Sequence, residues 1–101
     1  MESDPFRYGP WACIARTQLS HAGRIMLDIL NTETCRIVQV ATLSYCEEAL
    51  EPDEIIIDIQ EDEDLQYVLR DAGILAEHVR DIDVGRWTYP IYRLHPSMVP
   101  R

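Results

Sequence analysis

The sequence predicts a small α+β fold: a mainly antiparallel sheet of about five strands, one principal helix over about 62–72 and a short helix over about 45–50. Short β-branched and apolar runs recur along the chain, most plainly Ile37-Val38-Gln39-Val40 and Ile55-Ile56-Ile57-Asp58-Ile59. Turn formers separate such runs, Asn31-Thr32-Glu33-Thr34 above all. One segment places apolar residues at helical spacing, with Leu65, Val68, Leu69 and Ala72 along a single stripe.

At 101 residues, 47% of them hydrophobic, the chain has material for one core, so a single domain over 1–101 is expected. Residues 1–10 and 95–101 carry Pro5, Gly9, Pro10, Pro96 and Pro100 and are expected as irregular tails or edge-covering segments. Trp11 to Thr17 is apolar and strand-like, and polar residues from Gln18 to Gly23 supply a turn. Arg24 to Leu30 and Cys35 to Leu43 then read as the arms of a hairpin around Asn31–Thr34. The rival is a helix from Ser20 to Leu30, with Ala22, Met26, Ile29 and Leu30 on one face. The hairpin is preferred because Ile37, Val38, Val40 and Thr42 make the second arm β-branched.

Ser44-Tyr45-Cys46-Glu47 has capping-box spacing, and the helix it starts would end near Leu50, before Pro52. Glu54 to Ile59 is too short and too β-branched for a helix, so it is expected as a strand buried on both faces and central in the sheet. Acids at Glu61 to Asp64 crowd the first turn predicted for the principal helix, where the macrodipole favours them. Arg70 sits near its end, Gly73 suits a left-handed stop, and Ile74 can pack back across it. His78 to Val84 and Arg86 to Leu94 read as extended, with Gly85 as a turn or bulge between them. Pro90 donates no ladder bond, which predicts an edge position for the last strand.

Several function classes fall away on the residues. No run approaches the ~20 apolar residues of a membrane span, and Met1-Glu2-Ser3-Asp4 lacks the pattern of a signal peptide, so no membrane partner and a cytoplasmic location are expected. Cys13, Cys35 and Cys46 are odd in number with no CxxC, which argues for reduced, buried thiols. His21, His78 and His95 match no zinc spacing, and the acids from Asp58 fail as a calcium loop, since Glu63 stands where glycine is needed and Leu69 where a bidentate glutamate belongs. No phosphate-binding glycine loop or nucleophile elbow occurs, and a triad of Cys46, His78 and an acid is a combination any chain of this size offers. No cofactor, no metal and no catalysis are expected.

Charge is the outstanding feature. The net charge is -9, and ten of the eighteen acids fall between residues 47 and 64: Glu47, Glu48, Glu51, Asp53, Glu54, Asp58, Glu61, Asp62, Glu63 and Asp64. No basic residue occurs between Arg36 and Arg70, whereas a merely soluble surface mixes both signs. Along a folded path on the order of 40 Å these charges would stand about 4 Å apart, against ~1.7 Å along duplex DNA. The expected partner is a basic protein, including a nucleic-acid-binding complex, and not nucleic acid itself. A solvated surface with no specific partner explains part of the block, because Glu47 and Glu61 to Asp64 already have roles at helix starts.

In size and charge the chain resembles the small acidic inhibitors carried by phages and mobile elements, such as anti-CRISPR and antirestriction proteins. All nine basic residues are arginine, a bias of GC-rich genes that suits a bacterial, plasmid or phage source. No family motif accompanies that likeness, so no residue roles follow from it. The reading is a noncatalytic inhibitor or nucleic-acid mimic. One rival is a structural or regulatory subunit that assembles, with itself or others, through the aromatic strand holding Trp87, Tyr89 and Tyr92. There Trp87, Tyr89 and Ile91 are expected in the core, and Arg86, Tyr92 and Arg93 at a secondary interface. The other rival is a small enzyme, which needs a cleft with convergent titratable groups.

Overall fold

A computed structural model describes residues 1–43 and 48–100. Among them seven strands form two antiparallel sheets. The first joins β1 (Phe6–Tyr8), β2 (Trp11–Leu19), β3 (Ile25–Asn31) and β4 (Ile37–Val40), each to the next. The second has β7 (Trp87–Leu94) between β5 (Glu54–Ile56) and β6 (Leu75–Val84). Helix α1 (Leu65–Asp71) leads from β5 to β6, and a 3-10 turn at Pro96–Met98 closes the chain. The α+β class stands, with the strands shared between two sheets rather than gathered into one.

Two sheets arise because the chain leaves β4 and crosses over. Beyond Val40 it pairs with the end of β5: Leu43 donates to Ile56 at 3.0 Å, Asp58 donates to Ala41 at 2.8 Å, and Thr42 bridges Ile57. The capping box and the start of the short helix lie outside the described residues, and Glu48 to Leu50 carry no helix.

The hairpin reading of 24–43 holds, and its loop is local chemistry. Asn31 Oδ1 accepts the backbone N–H groups of Glu33 and Thr34 at 2.8 and 3.3 Å, the Asx-turn habit of asparagine. Cys35 then takes a left-handed conformation, φ 60°, and is exposed rather than buried. Of the two expectations for the first ten residues, the edge-covering segment holds and the irregular tail does not. Phe6–Tyr8 is a strand against β2, and Glu2 bridges Arg16.

Strand alternation builds the core. Cys13, Ala15 and Thr17 of β2 and Leu27 and Ile29 of β3 face inward, where they meet Ile55, Ile57, Leu65, Leu69, Tyr92 and Leu94. On the other face of the second sheet Ile56, Tyr89 and Ile91 pack with Leu43. That is why every residue of β5 is buried. Helix α1 starts at Leu65, so Glu61 to Asp64 precede it and its first turn has no acid. Its end is as expected: Gly73 has φ 77°, and Ile74 and Gly73 donate to Leu69 and Arg70, both at 3.0 Å, which closes a Schellman stop with Ile74 buried.

Two strand positions are the reverse of expectation. β5 lies at the edge of its sheet and β7, with Pro90, at the centre. An antiparallel residue points its N–H and C=O to the same neighbour, and Pro90 points its carbonyl at Ile57, which donates to it at 3.0 Å. Ile57 lies one step past the last paired residues of β5, Ile56 with Ile91. The missing N–H therefore falls where that ladder ends, and the β6 side loses nothing.

Candidate functional site

The acidic block divides into two halves with different surroundings. Its first half is engaged by the protein's own arginines. Sheet register sets Glu54 opposite Arg93 and Arg93 opposite Glu77, so Arg93 lies amid acids on both sides. Its guanidinium pairs with Asp53 at 3.0 Å and with Glu77. Arg80, on β6, pairs with Glu48 at 3.2 Å and with Glu54 at 3.6 Å, and donates to the Ala49 carbonyl at 3.1 Å. Arg24 donates to the Glu48 carbonyl. Glu54 is buried, and its carboxylate also accepts the Glu51 N–H at 2.9 Å. These acids tie the 48–54 segment to the β6–β7 hairpin and are structural. Glu51 is exposed, and Glu47 lies outside the described residues.

The second half is different. Asp58, Glu61, Asp62, Glu63 and Asp64 fall in seven consecutive residues, and among the described residues no basic group pairs with any of them. Glu61, Glu63 and Asp64 are exposed, while Asp58 and Asp62 are half-buried. Local bonds shape the loop: Asp58 accepts the Gln60 N–H at 3.1 Å and Asp62 the Asp64 N–H at 3.0 Å. Gln60 donates in turn to the Tyr89 hydroxyl. The Tyr8 hydroxyl donates to Asp62 Oδ2 at 2.8 Å and fastens the loop to the β1–β2 hairpin. Burial, and then this contact with Asp62, push the Tyr8 phenol above its ordinary range, so it remains a donor. Like charges this close oppose folding, and no ion pair among the described residues offsets them.

The secondary interface expected at the aromatic strand is not assembled. Tyr92 is only 2% exposed, its hydroxyl donating to Gln66 at 2.9 Å, because β7 is covered on both faces. Arg93 is held by Asp53 and Glu77. Arg86 is exposed in the Gly85–Arg86 turn. Trp87, expected in the core with Tyr89 and Ile91, is 43% exposed, because it sits opposite Val84 at the hairpin tip. A central strand also has no free backbone edge to offer a partner.

A shallow cleft between α1 and the second sheet gathers titratable groups. His78 Nε2 lies 2.7 Å from Asp81 Oδ1, its ring meets Tyr92 edge-on at 5.4 Å, and Arg70 lies over the Tyr67 ring at 5.1 Å. An aspartate-oriented imidazole can act as a base. Among the described residues no companion nucleophile stands beside it: Thr88 donates its hydroxyl to Asp83 at 2.6 Å and Cys13 is buried elsewhere. Cys46, the thiol of the triad weighed from the sequence, lies outside the described residues.

Among the described residues no three His, Cys, Asp or Glu side chains converge on a point that could hold a metal ion. No helix there is long and apolar enough to cross a membrane. Comparison with protein-family models, curated proteins and solved structures returns no match to this chain.

Proposed function

We propose that this chain is a noncatalytic binding protein that docks a basic, nucleic-acid-handling protein on its 58–64 segment and so acts as an inhibitor or nucleic-acid mimic. The observation that carries the reading is the contrast within the acidic block. Glu48, Asp53 and Glu54 are matched by Arg80 and Arg93, yet the five acids of 58–64 have no arginine partner among the described residues. A protein with nine arginines could have neutralised that loop as it does the neighbouring segment. Unmatched charge on a folded surface weakens the monomer slightly and speeds encounter with a basic partner. At ~3.3 Å per extended residue, five charges in seven residues stand about 4–5 Å apart, a few-fold sparser than the ~1.7 Å of duplex DNA.

The test compares the wild type with a Glu61→Gln/Glu63→Gln/Asp64→Asn variant as baits for bacterial nucleic-acid-binding proteins, at low and at high salt. All three side chains are exposed, so the variant should keep the fold, which circular dichroism checks. The expected result is capture of basic proteins by the wild type at low salt, lost both in the variant and at high salt. Capture that ignores both changes would sink the proposal.

A further inference from the structure

The acidic loop borders a groove that the charge argument leaves unused. It is about 400 Å³ in volume and lies between the β1–β2 turn, β4 and the start of α1. Tyr8, Trp11, Val38 and Val68 supply its apolar and aromatic surface, and Asp62 and Asp64 its charge. Trp11 is 45% exposed, an unusual state for a tryptophan. The turn sets its position: Gly9 has φ 59°, and a Cβ there would stand 3.9 Å from the Trp11 ring, in ordinary contact with it. The two carboxylates are not equally committed. Asp62 already accepts bonds from the Tyr8 hydroxyl and the Asp64 N–H, while the Asp64 carboxylate is exposed and accepts none among the described residues.

We infer that this groove receives an arginine side chain of the basic partner, the guanidinium stacking on Trp11 and donating to Asp64. The inference rests on the proposed function and names the residue type that the partner inserts. Three features select that occupant. Carboxylates beside an apolar groove in a protein of net charge -9 favour a cation over an anion or a neutral group. An indole face attracts a cation, most strongly where water is partly excluded. A planar guanidinium matches both a flat ring and a two-oxygen carboxylate, whereas a compact, strongly hydrated ammonium matches neither as well.

The experiment titrates the full chain with octa-arginine and octa-lysine peptides at low salt and follows the two indole N–H resonances by NMR, the two tryptophans being Trp11 and Trp87. Octa-arginine should shift the Trp11 resonance saturably and leave Trp87 in place, and octa-lysine should bind more weakly. Trp11→Ala should weaken octa-arginine binding by about tenfold, and Trp11→Phe should restore part of it. Asp64→Asn, a change at an exposed side chain, gives an independent loss should Trp11→Ala disturb the turn. The groove assignment falls if octa-arginine binds and loses affinity in the Glu61→Gln/Glu63→Gln variant while Trp11 does not shift and Trp11→Ala binds as before. The acidic-face reading then survives. Equal shifts with both peptides overturn the guanidinium preference, and no binding of either peptide to the folded protein overturns both inferences.

Discussion

The guanidinium of Arg80, on β6, stands 3.6 Å from the carboxylate of Glu54, whose side chain is only 3% exposed. The pair joins the two ends of the second sheet, since β5 and β6 are its outer strands. Glu54 also accepts the Glu51 N–H, so its charge is shared between a cation and a backbone donor.

Removal of the cation leaves that carboxylate buried with half its support. Arg80→Met should destabilise the protein by about 2 kcal/mol, less than the loss of a fully buried pair because the Arg80 side chain is 40% exposed and water can take part of its place; equilibrium urea unfolding measures it. Adding Glu54→Gln to Arg80→Met should recover part of the loss, because the amide is neutral and still has an oxygen for the Glu51 N–H. A double variant no more stable than Arg80→Met alone would show that Arg80 acts through the Glu48 and Ala49 contacts instead.

These ion pairs also mark where the sequence is silent. The hairpin of β3 and β4, the helix stripe of Leu65, Val68 and Leu69 and the stop at Gly73 are local patterns, visible as residue types a few positions apart. Which acids are neutralised depends on strands that meet across the sheet: Arg80 and Arg93 reach Glu48, Asp53 and Glu54 over 26 to 40 residues of chain. Register decided Pro90 as well. A proline interrupts only the neighbour its nitrogen faces, and no sequence pattern shows which neighbour that is. The aromatic strand escapes a pattern reading for a related reason. Alternation places Trp87 with Tyr89 and Ile91, but the cover over that face ends before the hairpin tip. Asp58 and Glu61 to Asp64 were legible as an acidic run, though their separation from the first half of the block was not.

Cys35 offers a test of the hairpin loop. It is exposed and holds φ 60°, a conformation that costs an ordinary L-residue about 1–2 kcal/mol and glycine nothing. Glycine gives back part of that gain through the greater freedom of the unfolded chain. Cys35→Gly should therefore stabilise the protein by about 0.5–1 kcal/mol in thermal or urea unfolding, despite removing a side chain. Lower stability in Cys35→Gly would mean that the thiol makes contacts outweighing the backbone strain.

The Tyr8–Asp62 bond makes stability depend on pH at the alkaline end. Burial, then hydrogen bonding and charge from Asp62, raise the Tyr8 pKa in the folded protein, whereas in the unfolded chain it titrates near its ordinary 10.0. The folded state thus holds this proton more tightly. Its contribution is fully present below about pH 10 and is lost as pH climbs through the raised folded value. Burial raises the Cys13 and Tyr92 pKa values in the same direction, so the whole protein weakens in alkali, and the Tyr8 share has to be isolated by difference. Tyr8→Phe lacks the proton and the bond. At neutral pH it should be less stable than the wild type by roughly 1 kcal/mol, the worth of a half-exposed hydrogen bond. That gap should narrow steadily above pH 10 in urea titrations across pH, because only the wild type has a Tyr8 proton to lose. A gap that stays constant through the alkaline range would mean that the Tyr8 proton makes no difference to folding, and that the loop is held to β1 by packing alone.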